Sequence, residues 1–163
     1  MLKIPFEGSV LVHGGAGKGK TSLLRAMIRE VLDGEVSVIA VSGELQSEVD
    51  TGRGQRVTRL DQASHEIERI YTLFSERNRQ PYEAEERTEK AIFVLIDEAP
   101  RVLRDLSEET MGHLKECITL GPTVNIQVVV AGQRFPKAFA SLFHVTADVD
   151  RRHIEYRSHV TTA

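Results

Sequence analysis

The sequence has few of the features that mark secreted and membrane proteins. Its 163 residues contain one cysteine, Cys117, which excludes an internal disulfide and fits a reducing compartment. No apolar run approaches the roughly 20 residues that a membrane-spanning helix needs. Residues Met1 to Pro5 show neither the apolar core nor the cleavage site of a signal peptide. We therefore expect a cytoplasmic chain without a membrane segment of its own.

The chain also has no large excess of charge of either sign. The net charge is −3 and the isoelectric point is about 6.1, so nothing draws the whole chain toward nucleic acid. A local basic group lies near the C-terminus at Arg151, Arg152 and Arg157. The histidines show no metal-ligand spacing with one another or with Cys117. Cys117 falls on an apolar helical stripe, where packing is its expected role.

Apolar runs bounded by turn residues alternate with helical patterns, which is typical of a parallel sheet covered by helices. We predict strands at 9–13, 36–41, 92–96, 126–131 and 143–146. Helices are predicted at 20–32, 62–78 and 108–120, and polar loops at 44–59 and 80–90. The sequence thus predicts one α/β domain over residues 1–163, with three layers and a central, mostly parallel sheet.

A glycine-rich segment carries the clearest chemical signal. Residues 14–21 read Gly-Gly-Ala-Gly-Lys-Gly-Lys-Thr and fit G-x-x-x-x-G-K-[ST] at every position. The segment follows an apolar strand and opens a helix, which is the context that a phosphate-binding loop (P-loop) requires. Glycines let backbone N–H groups surround a polyphosphate, and the helix dipole favours the anion. The predicted nucleotide-binding residues are Gly14, Gly15, Ala16, Gly17, Lys18, Gly19, Lys20, Thr21 and Ser22.

A second segment has the form of a Walker B strand. Residues 92–96 are apolar and are followed by Asp97 and Glu98. At the carboxyl end of a buried strand, Asp97 would lie beside the P-loop and hold Mg²⁺ together with the Thr21 hydroxyl. Lys20 would reach the β- and γ-phosphates of ATP. Glu98 would act as the general base that activates the attacking water.

A third strand ends in a polar pair, Gln133 and Arg134. In a parallel sheet this end faces the same crevice as the P-loop. We expect Gln133 to orient the attacking water or to sense the γ-phosphate. An arginine presented to a neighbouring subunit accelerates hydrolysis in many NTPases. The candidates for that role are Arg101, Arg104, Arg134, Arg151 and Arg152.

With these residues in view, the chain resembles the FtsK/SpoIIIE-type motor domains of the FtsK–HerA superfamily, which are P-loop ATPases of the RecA/ASCE-like type. Four segments carry the resemblance, in the family's order: residues 14–26, residues 67–82 with an E-R-x-Y pattern, residues 93–98 and residues 125–134. One departure is Val41-Ser42-Gly43-Glu44, where the family commonly has an aspartate-proline-lysine turn. The resemblance spans residues 10–152.

The resemblance implies an ATP- and Mg²⁺-dependent motor that works as an oligomeric ring and translocates double-stranded DNA, in genome packaging or in plasmid or phage transfer. It adds Arg77 to the candidates for an arginine acting between subunits. A protein-secretion or conjugation-coupling ATPase is the alternative with a different cargo. A small-molecule kinase and an ATP-binding switch without turnover remain open, whereas a GTPase is disfavoured because no N-K-x-D sequence occurs. The cargo, the ring size and the direction of travel stay undetermined.

Overall fold

The computed structural model describes residues 8–15, 19–31, 34–40, 43–49, 55–79 and 89–156. The strands within them are β1 Val10–His13, β2 Glu35–Ile39, β3 Arg56–Thr58, β4 Ile92–Ile96, β5 Ile126–Gly132, β6 Val145–Asp148 and β7 His153–Tyr156. They form a seven-stranded sheet in the order β3-β2-β4-β5-β1-β6-β7. The strands β1 to β6 are parallel, and β7 is antiparallel to β6.

The helices of the described residues lie between these strands. They are α1 Lys20–Glu30, α2 Gly43–Glu48, α3 Ala63–Asn78, α4 Ala99–Arg104, α5 Glu108–Leu120 and α6 Lys137–Ala140. Short 3₁₀ turns occupy Leu60–Gln62 and Gly121–Val124. The helix α5 begins at a serine that caps it, because the Ser107 side chain accepts a hydrogen bond from the Thr110 N–H.

Two hydrophobic cores lie on the two faces of the sheet. Alternate strand residues point to opposite faces. One core joins the strands to Leu24 and Ile28 of α1 and to Leu45 of α2. The other joins them to Ile67 of α3 and Leu114 of α5. The protein is therefore a three-layer α/β fold with a central, mostly parallel sheet, as the sequence predicts.

The P-loop strand β1 and the Walker B strand β4 are not direct neighbours in the sheet. The strand β5 lies between β1 and β4, so the strand that ends in Gln133 separates the two motif strands. All of these strands leave the sheet at the same edge, because they are parallel.

One prediction about the chain's organisation is wrong. The range 44–59 was expected to be a loop, but it contains most of α2 and the strand β3. Both elements are short and depend on distant partners: Glu48 of α2 forms ion pairs with Arg25 and Arg29 of α1, and β3 pairs with β2. The last predicted strand also lies later, at Val145–Asp148. Most of the loop predicted at 80–90 falls outside the described residues.

A buried polar cluster joins α3 to the sheet. Glu66 is 3% exposed, and its carboxylate accepts hydrogen bonds from Ser37 of β2, from Arg69 and from Arg56. Arg69 also pairs with Glu35. Burial by itself raises the pKa of Glu66, but the hydrogen bonds from Arg69, Ser37 and Arg56 bring that pKa below its ordinary value.

Candidate functional site

The structure brings the three motif segments together at the carboxyl edge of the sheet. His13, at the end of β1, is aligned with Gly132 of β5, so the P-loop and Gln133 leave the sheet side by side. Ile96 of β4 is aligned with Val130 of β5, so Asp97 follows on the other side of β5. The predicted phosphate, metal and catalytic residues thus lie on three adjacent strands.

The described part of the P-loop is held by Lys20. The Lys20 Nζ donates to the carbonyl oxygens of Gly14 at 2.6 Å and Gly15 at 2.8 Å. Gly19 has a φ of 95° at the start of α1, a conformation that favours glycine. Thr21 is half-buried and Ser22 is exposed. Ala16, Gly17 and Lys18 lie outside the described residues.

The beginning of α1 suits an anion. The helix starts without a capping side chain and has no acidic residue in its first turn. Its first backbone N–H groups have no partner within the helix itself. Together with the helix dipole, they provide the electrostatic environment in which phosphate groups bind.

Asp97 is a buried carboxylate next to this loop. It is 2% exposed, and its Oδ1 accepts a hydrogen bond of 3.0 Å from the Glu98 N–H. Its Oδ2 is buried and has no hydrogen-bond partner among the described residues. Burial raises the pKa of Asp97 and the charge of Glu98 raises it further, whereas the backbone hydrogen bond and the charge of Lys20 lower it.

These observations fit a magnesium ion. Asp97 follows β4, which is separated from the P-loop strand β1 only by β5. Its buried Oδ2, which has no hydrogen-bond partner among the described residues, lacks the positive charge that would stabilise it. Carboxylate and hydroxyl oxygens such as those of Asp97 and Thr21 are hard ligands of the kind that Mg²⁺ prefers. The donor set and the orphaned oxygen are therefore both compatible with the predicted metal.

Glu98 stands in a strained turn between β4 and α4. Its φ is 49° and its ψ is 47°, the left-handed region that few residues other than glycine adopt. Its side chain is exposed at the carboxyl edge. Backbone strain of this kind is common at functional positions and must be maintained by the surrounding packing.

Close packing behind Glu98 provides that support. A Cβ atom on Gly132 would lie 2.5 Å from the Cδ of Pro100 and 2.9 Å from the Cζ of Phe135. The first turn of α4 therefore presses directly on the end of β5. This contact brings the turn that carries Glu98 next to the exposed Gln133.

The candidate arginines occupy two different places. Arg134 follows Gln133, Arg101 and Arg104 lie on α4 just after Glu98, and all three are exposed. Arg151 and Arg152 are exposed in the turn between β6 and β7. These residues all lie on elements that follow the carboxyl ends of strands.

Arg77 lies at the opposite edge of the sheet. Its guanidinium donates to the carbonyl oxygens of Val124, Asn125 and Lys90, just before β5 and β4 begin. The segment around it also serves packing between helices. Tyr71 stacks on His113 of α5 with ring centroids 3.8 Å apart, and Glu68 accepts hydrogen bonds from the same helix.

Sequence reasoning did not identify Asp150 as a residue that contacts the P-loop. Its carboxylate accepts the Gly15 N–H at 3.0 Å and 3.2 Å. In the sequence, Asp150 stands directly before the basic residues Arg151 and Arg152, and no motif links it to the P-loop. The pairing of β6 with β1 creates the contact, and no local sequence motif predicts that pairing.

The remaining candidates have ordinary roles. Cys117 is buried among apolar residues, and burial raises the pKa of its thiol to about 12, as expected for a packing residue. Among the residues described by the structure, no group of three or more His, Cys, Asp or Glu side chains is arranged to bind a metal. No helix in the same residues is long and apolar enough to cross a membrane.

No protein-family model and no curated protein matches the sequence, but solved structures do. The cytoplasmic domain of the Thermomonospora curvata type VII secretion ATPase EccC matches 82% of this chain, with 17% identity and a TM-score of 0.65. EssC (ATPases 2 and 3) from Geobacillus thermodenitrificans matches 88% with 15% identity and a TM-score of 0.67. The pCW3 conjugation coupling protein TcpA, solved with ATPγS, matches 89% with 18% identity and a TM-score of 0.60.

The chain corresponds to a part of each of these proteins. It covers 17% of the EccC chain, 32% of the EssC chain and 50% of the TcpA chain. Identities this low carry information about the fold and not about the activity of the whole proteins. The chain has the fold of P-loop ATPase domains.

Proposed function

We propose that this chain is an ATPase domain of the FtsK–HerA superfamily, which binds Mg²⁺-ATP at residues 14–22 and hydrolyses it. One observation supports the proposal most strongly. Lys20 is bound to the carbonyls of Gly14 and Gly15, and the buried Asp97 follows the Walker B strand at the same edge of the sheet, with an Oδ2 that has no hydrogen-bond partner among the described residues. A generic glycine-rich turn gives no reason for a buried carboxylate of this kind.

The residues divide the chemistry among themselves. The P-loop N–H groups and Lys20 bind the phosphates, while Thr21 and Asp97 would hold Mg²⁺. When bound, the metal neutralises charge on the phosphate oxygens. Glu98 accepts a proton from the attacking water, and Gln133 orients that water from the neighbouring strand. Lys20 stabilises the negative charge that accumulates on the β- and γ-phosphates.

We further propose that the ATPase works in an oligomer and drives a macromolecular cargo through secretion or conjugation. The similarity to a type VII secretion ATPase and to a conjugation coupling protein supports this reading over genome packaging. One EccC structure is a complex with a signal sequence peptide, which supports a polypeptide cargo. The net charge of −3 provides no overall attraction to duplex DNA.

The decisive experiment compares ATP binding and ATP hydrolysis in two glutamate variants. We expect Glu98→Gln to bind ATP as the wild type does and to hydrolyse it about 10²–10⁴-fold more slowly, because the general base is lost. Glu76→Gln, on the exposed face of α3, is the matched control and should hydrolyse ATP at the wild-type rate. Equal turnover by wild type and Glu98→Gln would refute the catalytic assignment.

The cargo is tested by adding candidate substrates to the same assay. A secretion-type polypeptide should raise the ATPase rate if the cargo is protein. Stimulation by long duplex DNA, falling steeply with salt because phosphate contacts dominate, would support conjugative transfer instead. If neither changes the rate of an active ATPase, the transport function is wrong, although ATP hydrolysis stands.

A further inference from the structure

The turn between β6 and β7 lies directly beside the P-loop. The strand β6 runs parallel to β1, and His13 is aligned with Asp148. The residues that follow the two strands therefore leave the sheet together. The Val149 N–H extends the pairing by donating to the His13 carbonyl at 2.9 Å. The turn is itself closed by a hydrogen bond of 3.2 Å from the Arg151 N–H to Asp148.

The turn binds the N–H of Gly15, whereas Lys20 binds the carbonyl oxygens of the same two P-loop residues, Gly14 and Gly15. Both carboxylate oxygens of Asp150 lie within 3.2 Å of the Gly15 nitrogen, while Lys20 binds the carbonyl oxygens of Gly14 and Gly15. The turn also packs closely, because a Cβ atom on Gly14 would lie 3.2 Å from the Val149 Cβ and 3.3 Å from Asp150. A cation and an anion thus fix the same glycine pair.

Binding by both Asp150 and Lys20 affects the affinity for ATP, because glycine residues are otherwise conformationally free. A Gly-Gly segment loses more backbone entropy on ordering than other residues do. If the loop is already held in one conformation, ATP binding does not have to supply that entropy. A hydrogen bond to a carboxylate is stronger than one to a neutral acceptor, so the Asp150 carboxylate alone is enough to hold the Gly15 N–H. Fixing the Gly15 peptide also fixes the carbonyl that positions the Lys20 amine.

We propose that Asp150 is a positioning residue for nucleotide binding, which holds Gly15, and through it Lys20, in the conformation that receives the phosphates of ATP. The inference rests on the proposed ATP site and adds to it a residue from the opposite end of the chain. Asp150 contacts neither phosphate nor water in this account. It acts through the loop and Lys20, and its main effect is on the affinity for ATP.

The test separates affinity from chemistry. Asp150→Ala should raise the KM for ATP and the Kd for ATPγS by about tenfold, the effect of losing one hydrogen bond to a charged group. It should lower kcat by a smaller factor, because Glu98 and Gln133 are intact and only the position of Lys20 is affected. Asp150→Asn keeps an acceptor oxygen and should retain most of the affinity. Glu155→Ala, an exposed carboxylate on the same hairpin, should change neither constant.

A second measurement does not depend on nucleotide. Hydrogen exchange of the Gly15 amide should be faster in Asp150→Ala than in wild type and slow again in Asp150→Asn. Wild-type affinity in Asp150→Ala, or a loss of affinity that Asp150→Asn does not rescue, would overturn the inference. The proposed function is checked separately with Lys20→Ala: if wild type and Lys20→Ala bind ATPγS equally poorly, the ATP site fails and the role of Asp150 fails with it.

Discussion

Gly132 lies where the two segments predicted to be catalytic, around Glu98 and around Gln133, pack against each other. The Cδ of Pro100 would be 2.5 Å from a Cβ at this position, so any side chain must displace either the end of β5 or the start of α4. Displacing α4 moves the left-handed turn at Glu98, and displacing β5 moves Gln133. The absence of a side chain at Gly132 is therefore a requirement of the site as well as of the core.

We expect Gly132→Ala to lower the free energy of unfolding by about 1–3 kcal/mol, the usual cost of overpacking, and to lower kcat more than ATP affinity. Gly112 offers a matched control, because a Cβ there meets nothing within 4 Å. Gly112→Ala, inside the helix α5, should raise stability by about 0.5–1 kcal/mol. Urea unfolding and steady-state ATPase kinetics measure both effects. If both variants change stability by the same amount, the steric account is wrong.

Individual site residues differ in how far the sequence reveals them. The segments around Lys20, Asp97 and Gln133 are contiguous motifs, and the parallel sheet brings all three to one edge as predicted. Their catalytic and binding roles remain predictions. Asp150 was not found, since its contact with Gly15 spans 135 positions and depends on which strand lies beside β1.

Among the elements, α3 shows how a polar contact fixes a helix on a sheet. Its apolar stripe, including Ile67, Ile70 and Phe74, is buried. Apolar packing alone would still let the helix rotate or shift slightly relative to the sheet. The hydrogen bond between Ser37 of β2 and Glu66 removes that freedom, because a buried carboxylate that lost its partners would be costly.

We expect Glu66→Gln to lower the free energy of unfolding by about 2 kcal/mol at neutral pH. Because the pKa of Glu66 is lowered in the folded protein, its contribution is fully present above the unfolded pKa of about 4.3 and is lost as the pH falls through the folded value. The stability difference between wild type and variant should therefore shrink below about pH 4. Denaturant unfolding at pH 7, 5 and 3.5 measures it, and a difference that stays constant across this range contradicts the account.

The elements that the sequence predicted are those with a clear local sequence pattern. The strands around residues 92–96 and 126–131 are apolar except at Gln127, and the helix predicted at 108–120 has the observed bounds Glu108–Leu120. The short elements α2, β3 and β7 were missed. Each has few apolar residues, so the sequence carries little pattern for them. In addition, α2 and β3 are stabilised by partners about 20 residues away along the chain, and β7 by its pairing with β6.

On the scale of the whole molecule, the exposed arginines at the carboxyl edge provide the test of assembly. If Arg134 acts on the ATP of a neighbouring subunit, Arg134→Ala should lose about 10³-fold in kcat while still binding ATP. Mixing Arg134→Ala with Glu98→Gln should then restore part of the activity. At one type of mixed interface, the Arg134→Ala subunit supplies an intact Glu98 and its Glu98→Gln neighbour supplies an intact Arg134.

The control for that experiment is the double variant. A chain that carries both substitutions, mixed with Glu98→Gln, has no interface with both groups intact and should stay inactive. If mixing the single variants restores nothing although each binds ATP, Arg134 acts within its own subunit or in no catalytic step. Arg101, Arg104, Arg151 and Arg152 are then examined in the same way.

Arg77 lies at the edge of the sheet opposite to the P-loop. Arg77 fastens α3 to the residues where β4 and β5 begin, and the Ile92 N–H donates to the Asn125 carbonyl beside it at 3.0 Å. The two strands that lead to Asp97 and Gln133 therefore share a fixed base. Because the two strands are also paired with each other up to the end of β4, we expect any rearrangement during ATP turnover to take place in the segments beyond their ends, while the strands themselves keep their spacing.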